Sequence, residues 1–414
     1  MFARLGRVNP PTDPLDDAAT ADVPPSRRER RAAKRQQRSR RNRDIRRVLL
    51  AVFLIAFVSV AWSIGNALAK PTGESMSTKL VEWVRDHGGN GFVNRVENWW
   101  YTSHPPPTGG LPKGGRLPTA HRATATVQRP VAVATPPQVL PPAVVPFARS
   151  PLPNEGVWAP TGRVVNGRPA IWETFLRPDP IHTSEVVGAV WMDATRLRAA
   201  LYNGIQLPGG GPWIRPARIA PADQAGLVAG FNSGFKLDAS LGGYYTEGKT
   251  VRPLVDGRAS LVIFNDGTTT VGVWGRDVRM APNVASVRQN LSMLVDGAQN
   301  LAAGDPNDTH RWGDTLGGRV YVWRSGVGVD ARGNLIYVGG PALNIGTLAD
   351  VLIRAGAVRA MELDINTAWV SYFTYTGGGA AGPIQGTRLL PNMDRPPDRY
   401  LTGNSRDFIA LFAR

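Results

Sequence analysis

The chain has 414 residues, enough for one large or two ordinary domains, and a formal net charge of +16. It contains no cysteine, which excludes a disulfide scaffold, a thiol nucleophile and a zinc site built on thiolates. The charge is concentrated: residues 27–47 hold twelve Arg or Lys and two acidic residues, a net of +10. The basic character is therefore local, and we expect no nucleic-acid partner.

The first 68 residues predict a membrane anchor. Residues 1–47 form an expected disordered, basic cytoplasmic tail, and residues 48–68 carry no charge. A helix of these 21 residues spans roughly 31 Å, the thickness of a bilayer core. The basic residues before it place the N-terminus in the cytoplasm, so the main domain is expected to be extracytoplasmic.

A cleaved signal peptide is the alternative, because Ala67-Leu68-Ala69 resembles a cleavage site. The long basic region and the long apolar run favour an uncleaved, single-pass anchor in the cell membrane. Either interpretation leaves residues 70–414 outside the cytoplasm. The basic segment suits attraction to anionic lipid headgroups.

Residues 69–101 read as amphipathic juxtamembrane helices, broken at Gly88-Gly89-Asn90-Gly91. Their apolar positions include three tryptophans, Trp83, Trp99 and Trp100. Such a face packs on a neighbouring domain or lies at the membrane interface more often than it binds a ligand. Residues 102–150 follow as a Pro-rich linker of extended character.

Residues 151–414 form the predicted folded domain. Hairpins are expected where 260–264 and 269–274 flank Asn265-Asp266-Gly267, and where 327–329 meets 335–338. One helix begins at Thr347 as the N-cap and ends at Gly356. These patterns predict an α+β class, a strand-rich mixed-sheet domain with few helices.

A buried strand, 358–363, follows that helix and places Asp364 at its C-terminal end. Carboxylates at strand ends are a common way to build a site at a sheet edge, although an aspartate that caps a turn would look the same.

Standard catalytic motifs are missing from the sequence. It has no phosphate-binding loop, no dinucleotide-binding glycine motif in a strand-to-helix context, no zinc-protease helix and no nucleophile elbow. The folded domain holds two histidines, so a histidine-rich metal site is not expected, and the cofactor is unknown. The segment Asp305-Pro306-Asn307-Asp308 fits a solvated turn better than a cation site.

Three stretches carry a resemblance when taken in order. They are Phe231-Asn232-Ser233-Gly234-Phe235, then Trp323-Arg324-Ser325-Gly326-Val327-Gly328 before a hairpin, then a helix leading into Met361-Glu362-Leu363-Asp364-Ile365-Asn366. Residues 222–414 thereby resemble the phosphodiester glycosidase family, which includes N-acetylglucosamine-1-phosphodiester α-N-acetylglucosaminidase. The whole layout of tail, anchor, linker and domain also looks like actinobacterial members of that family.

The resemblance implies hydrolysis of a sugar-1-phosphodiester in cell-envelope glycans, which releases the sugar and leaves a phosphomonoester. It implies catalytic roles for Asn232, Arg324 and Asp364. These residue types suit the task, because a carboxylate can act at the anomeric carbon, a guanidinium can hold phosphodiester oxygens and an amide can bond a sugar hydroxyl.

The chain departs from the family where glycines are expected. Ile365-Asn366-Thr367-Ala368 stands where the family has Gly-Gly-Gly-Ser, and Ser233 replaces a glycine. A β-branched Ile cannot adopt positive φ cheaply, so the loop after Asp364 is expected to have a different shape.

Further residues are expected to bind substrate, each with a plainer alternative. Lys236 follows the Asn232 motif and suits a phosphate contact, Asn366 is placed to replace a lost backbone contact and Glu362 shares a strand face with Asp364. His310 is a possible acid–base helper and Asp296 is first a turn residue. Six aromatics suit either sugar stacking or the core: Tyr244, Tyr245, Trp312, Trp369, Tyr372 and Tyr375.

Two other functions fit the same sequence. A catalytically inactive, glycan-binding or scaffolding protein of the same fold is favoured by the lost glycines. An envelope-assembly partner would use the Trp-rich juxtamembrane helices. The oligomeric state is not indicated. Convergence of Asn232, Arg324 and Asp364 on one open cleft would favour the enzyme.

Overall fold

The structure is a computed structural model that describes residues 26–70, 72–121, 140–305, 308–313 and 321–414. The chain forms two compact units, of which the first ends at Asn66 and the second runs from Ala67 to Arg414. The first 25 residues of the predicted tail 1–47 lie outside the described residues, as do the central part of the linker and two residues of the Asp305–Asp308 segment.

The described part of the chain holds these helices: α1 (Arg27–Ala69), α2 (Met76–Val84), α3 (Asn90–Ser103), α4 (Leu237–Ser240), α5 (Thr309–Trp312), α6 (Ile345–Arg354) and α7 (Arg399–Thr402). A single π turn, Arg85–Gly89, joins α2 to α3. Short 3-10 turns lie at Lys113–Gly115, Pro221–Gly226 and Gly379–Ala381.

Eighteen strands are described: β1 (Ala159–Val165), β2 (Arg168–Leu176), β3 (Val187–Met192), β4 (Leu197–Tyr202), β5 (Leu227–Asn232), β6 (Tyr244–Thr246), β7 (Lys249–Arg252), β8 (Ala259–Phe264), β9 (Thr269–Val273), β10 (Val284–Gln289), β11 (Met293–Asp296), β12 (Gln299–Asn300), β13 (Val322–Val329), β14 (Leu335–Leu343), β15 (Arg359–Ile365), β16 (Tyr372–Thr376), β17 (Gln385–Arg388) and β18 (Phe408–Ala413). This strand-rich chain with separate helices confirms the predicted α+β class.

The strands form three sheets. The first has the order β1-β2-β3-β14-β13-β15-β11-β12, the second β7-β6-β10-β8-β9 and the third β17-β16-β5-β18-β4. Neighbouring strands within each sheet run antiparallel throughout the described chain. Their apolar faces meet in one large core cluster that draws side chains from all three sheets, including Val190, Ile263 and Ile409.

Both predicted hairpins are present, as β8–β9 and β13–β14. The predicted helix is α6, but it begins earlier than expected. Its N-cap is Asn344, whose side chain accepts a hydrogen bond from the Thr347 backbone while the Thr347 hydroxyl bonds back to the Asn344 N–H. Thr347 is therefore the third helical residue of a capping box.

Helix α1 includes the basic segment 27–47, for which the sequence predicted disorder. Arg, Lys, Gln and Ala are good helix formers, and they continue directly into the apolar run. Among the described residues, α1 is the one helix long and apolar enough to cross a membrane. None of its apolar window is buried in protein.

The ends of β5, β13, β15 and β18 meet in the region that holds Asn232, Arg324 and Asp364. Strand β13 lies between β14 and β15 in the first sheet, so Arg324 and Ile365 are register partners. In the third sheet, Asn232 at the end of β5 pairs with Phe408 at the start of β18. Residues from both sheets therefore reach one region of the molecule.

Glu173 of β2 offers a test of this core. It is 3% exposed, and burial raises the pKa of its carboxyl to about 8 from 4.5. The folded state therefore binds a proton that the unfolded chain releases, so this residue makes the free energy of unfolding fall as pH rises from about 4.5 to about 8. The loss can reach about 5 kcal/mol, since one pKa unit is about 1.4 kcal/mol.

We expect Glu173→Gln, which cannot titrate, to be more stable than wild type at pH 9 and to gain much less at pH 5. Denaturant unfolding of the full chain in detergent, followed by tryptophan fluorescence, measures the difference. Asp238→Asn changes a fully exposed carboxylate and should match wild type at both pH values. A stability difference for Glu173→Gln that is the same at both pH values would contradict the assignment.

Candidate active site

Asp364 lines a cavity of about 1150 Å³ in the unit formed by residues 67–414. One wall comes from α2 and α3, and the opposite wall comes from the end of β15 and the loop that follows it. Charged and aromatic side chains face it: Glu82, Asp86, Lys236, Asp364, Trp369 and Arg406. The volume is sufficient for a sugar phosphate.

Asp364 is the penultimate residue of β15, and its carboxylate is held at both oxygens. Oδ2 accepts a hydrogen bond from Arg406 Nη1 at 2.7 Å, and Oδ1 accepts one from the Ile365 N–H at 2.9 Å. Burial raises the pKa of Asp364 to about 6, although the Arg406 guanidinium acts in the opposite direction. The group is thus poised to exchange a proton near neutral pH.

Arg406 precedes β18 and connects the acidic groups of the cavity. Its Nη2 lies 3.4 Å from Glu82 Oε2, and its guanidinium carbon lies 3.9 Å from the centre of the Trp369 ring. Burial opposes its charge, but Asp364 and Glu82 hold the pKa of Arg406 above its usual range. Trp369 therefore positions Arg406, and that ring face is taken by the guanidinium.

Lys236 is another cation of the cavity, which Arg85 also lines. Its Nζ lies 2.5 Å from Glu82 Oε2 and 2.8 Å from Asp86 Oδ1. Burial opposes the charge of Glu82, but Arg406 and Lys236 hold the pKa of that carboxyl below its usual value. An acidic side chain of α2 therefore occupies the position between the two cations.

The three sequence stretches are joined by hydrogen bonds behind the cavity. Asn232 Nδ2 donates to Ser325 Oγ at 2.9 Å, and Ser325 Oγ donates to the backbone oxygen of Asp364 at 2.7 Å. Asn232 Oδ1 accepts bonds from the Tyr337 hydroxyl and the Ser371 N–H. Asn232 is buried and does not line the cavity, so it supports the backbone that carries Asp364.

Arg324 and Glu362 form a buried ion pair in the same interior layer. Arg324 Nη1 lies 2.6 Å from Glu362 Oε1, and its Nε donates to the Leu343 carbonyl. Burial raises the pKa of Glu362 to about 7 against the charge of Arg324. Neither side chain lines the cavity. Of the three residues with implied catalytic roles, Asp364 alone faces it.

Asn366 takes over the backbone role expected of a lost glycine. It adopts φ +79°, whereas Ile365 completes β15 in extended geometry. Asn tolerates the left-handed region better than other non-glycine residues. Its Oδ1 also accepts a hydrogen bond from the Ala368 N–H. The turn after Asp364 therefore forms without glycine.

Ile365 lies in the cavity wall and does not fill the cavity. Its side chain packs against Phe235, Leu291 and Val322. The juxtamembrane residue Tyr101 packs on the same cluster.

The remaining predicted residues lie elsewhere. Asp296, at the end of β11, pairs with Arg276 at 2.6 Å and is not among the cavity residues. The side chain of His310 lies outside the described residues. Four of the aromatics are buried in the core, namely Tyr244, Trp312, Tyr372 and Tyr375.

Sequence reasoning missed Arg406, Glu82 and Asp86. Arg406 had one local indication, since a charged pair, Arg406-Asp407, directly precedes an apolar terminal strand. Asp407 forms a buried pair with Arg288 at 2.8 Å, which leaves Arg406 to face the cavity.

Among the described residues, no group of three or more His, Asp or Glu side chains is arranged to hold a metal ion. The side chains that line the cavity carry carboxylate, cationic and amide groups.

No family model matches the chain, and no curated protein matches it. Solved structures of similar shape include the zebrafish N-acetylglucosamine-1-phosphodiester alpha-N-acetylglucosaminidase catalytic domain, described as auto-inhibited by its pro-peptide, at 13% identity and TM-score 0.39. The match covers 60% of this chain and 85% of that one.

A hypothetical protein from Synechocystis matches at 14% identity and TM-score 0.35, over 62% of this chain and 64% of that one. A protein of Burkholderia pseudomallei matches at 14% identity and TM-score 0.30, over 57% and 75% of the two chains. All three TM-scores lie below 0.5. The residues around Asp364 therefore carry the functional interpretation.

The role of Asn366 can be tested by comparing two substitutions. Asn366→Ala should lower the free energy of unfolding by about 1–2 kcal/mol, because alanine is strained at positive φ. Asn366→Gly should cost less, since glycine adopts this region freely. Chemical denaturation of the two variants measures the difference. A glycine variant that loses as much stability as the alanine variant would show that the side-chain bond, and not φ, matters at this position.

Proposed function

We propose that this chain is a membrane-anchored hydrolase that cleaves a sugar-1-phosphodiester. The observation that carries the proposal is that a carboxylate of raised pKa, Asp364, and two cations, Arg406 and Lys236, line one cavity of about 1150 Å³. Cations in such a cavity suit a phosphodiester, and a carboxylate beside them suits attack at the adjacent anomeric carbon.

In the proposed reaction, the bond from the anomeric carbon to the phosphate oxygen breaks and a water oxygen becomes bonded to that carbon. In one route the ionised Asp364 accepts a proton from the water as the water displaces the phosphate. In the other, Asp364 displaces the phosphate and becomes bonded to the carbon, and water then breaks that bond and frees the carboxylate; both routes end in the free sugar and a phosphomonoester. A phosphate leaving group needs little protonation, so the main task of Arg406 and Lys236 is to neutralise its charge.

The resemblance in motif order supports this substrate class, and Asn232 and Arg324 act in it as positioning residues. Asn232 holds the Asp364 backbone through Ser325. Arg324 neutralises Glu362, which lies two residues before Asp364 on β15. The anchor prediction adds that α1 holds the domain at the extracytoplasmic face of the cell membrane, with cell-envelope glycans as substrates.

A non-catalytic glycan-binding protein is the second candidate. One observation that favours it is the burial of Asn232 and Arg324 behind the cavity. Another is that Glu82 already pairs with both Lys236 and Arg406. Binding of sugar phosphodiesters without turnover, across a broad panel, would support this candidate over the hydrolase.

The hydrolase predicts loss of turnover in Asp364→Asn. The full chain in detergent should release sugar from an N-acetylglucosamine-1-phosphodiester or a related diester, and Asp364→Asn should lower the rate by at least about 100-fold, the usual effect of removing an acid–base group. Asp296→Asn, a carboxylate outside the cavity, is the matched control and should retain wild-type turnover. Equal rates in both variants would remove Asp364 from the mechanism.

A second prediction concerns the pH dependence of turnover. The rate should rise as Asp364 ionises, with an acidic limb near pH 6. The negative charge of Glu82 contributes to the raised pKa of Asp364. Glu82→Gln should therefore move this limb to lower pH.

Asp86→Asn is the control for Glu82→Gln, since Asp86 also pairs with Lys236 but is not among the groups that shift Asp364. Its limb should stay in place. The limb is read from kcat/KM between pH 4 and pH 8, because kcat/KM reports the ionisation of the free enzyme. A Glu82→Gln limb that stays in place or moves to higher pH would contradict the predicted coupling between the two carboxylates.

A further inference from the structure

Helix α3 exposes a continuous apolar stripe. Phe92, Val96, Trp99 and Trp100 are spaced as i, i+4, i+7 and i+8, so they lie on one face of the helix. Their exposed fractions are 69%, 45%, 64% and 52%. Large apolar side chains exposed together in this way mark an interaction surface.

The opposite face of α3 already packs on the domain. Val93 is buried, Tyr101 contacts the Ile365 cluster and Glu97 pairs with Arg85 at 2.6 Å. The domain therefore holds the helix without using the apolar stripe. The sequence left open whether the tryptophans pack on a neighbouring domain or lie at a membrane, and Trp99 and Trp100 do not pack on this one.

The composition of the stripe fits a lipid surface. Arg95 is exposed and lies between Phe92 and Trp99 on the same side of the helix, where it can reach an anionic headgroup. Tryptophan is enriched at the level of lipid headgroups, because its ring is apolar and its N–H is polar. Helix α2 adds two exposed apolar residues one turn apart, Met76 and Leu80.

Few residues separate the candidate membrane span from α2 along the chain. Helix α1 ends at Ala69 and α2 begins at Met76, so six residues separate them. Six extended residues reach about 20 Å. A bilayer crossed by α1 would therefore lie within a short chain length of α2 and α3.

We propose that the stripe of Phe92, Val96, Trp99 and Trp100 docks in the headgroup region of the bilayer that α1 enters. Helix α3 then lies in the membrane surface as an amphipathic helix, while residues on its other side, Asn94 and Glu97, line the cavity of Asp364. This surface is independent of the proposed hydrolysis, since none of its four residues lines the cavity.

The absence of native cysteine allows a direct test. A single cysteine is introduced as Val96→Cys, labelled with the fluorophore NBD, and the full chain is reconstituted into vesicles of phosphatidylcholine and phosphatidylglycerol at about three to one. Ile214→Cys, at an exposed apolar residue of a distant loop, is the matched control. Both positions are exposed, so labelling should leave the fold intact.

We expect the probe at position 96 to emit at shorter wavelength and to be quenched at least twofold more by doxyl-labelled lipid than the probe at position 214. Adding Trp99→Ser and Trp100→Ser should remove that excess quenching. Equal quenching at positions 96 and 214 would overturn the proposal. A short-wavelength emission at position 96 without lipid quenching, together with disulfide-linked dimers of the unlabelled Val96→Cys chain, would assign the stripe to a second copy of the chain and would also overturn the proposal.

Discussion

The ion pair between Asp364 and Arg406 is the interaction on which the candidate site depends. Transfer of a lone carboxylate from water into this interior would cost several kcal/mol, and the 2.7 Å contact with Arg406 offsets part of that cost. The balance leaves the pKa of Asp364 near 6, which is high for an aspartate. A further cation beside the carboxylate would lower its pKa, and a more apolar setting would raise it.

The backbone around this ion pair is held by hydrogen bonds between uncharged groups. Different residues therefore position Asp364 and set its pKa. Asn232, Ser325 and the Asp364 carbonyl form one chain of bonds that joins the two sheets. Because the amide and hydroxyl groups carry no charge, these hydrogen bonds fix the position of the Asp364 backbone without placing a charge beside its carboxyl group. Asn232 and Ser325 therefore fix the position of Asp364, and the charged residues of the cavity set the proton affinity of its carboxyl group.

Local patterns in the sequence were sufficient for local structure. The Asn265-Asp266-Gly267 turn and the apolar spacing of α6 each depend on a few neighbouring residues, and both elements are present, although the N-cap of α6 is Asn344 and not the predicted Thr347. The order of the three motifs predicted that Asn232, Arg324 and Asp364 would converge on one cleft, but Asn232 and Arg324 are buried behind the cavity and Asp364 alone of the three lines it. Local patterns failed for Arg406 and Glu82, because each reaches Asp364 from a part of the chain with no motif and only the folded topology makes them neighbours.

The loop after Asp364 forms without the glycines that the resemblance led us to expect. Strand β15 continues through Ile365, and the residue with left-handed backbone geometry is Asn366. Shifting the turn by one residue lets a β-branched side chain keep extended geometry and pack on Phe235. A motif can therefore lose its glycines and keep its carboxylate in place, provided that an Asn stands where the backbone turns.

Charge balance links the cavity to the helices that cover it. Glu82 brings one negative charge to Lys236 and Arg406, and a phosphodiester brings the same single charge. Glu82 belongs to α2, which is joined by one π turn to α3, the helix with the exposed tryptophans. Its carboxylate pairs with both Lys236 and Arg406 and contributes to the raised pKa of Asp364. The contacts of α2 with the domain therefore set part of the charge that surrounds Asp364.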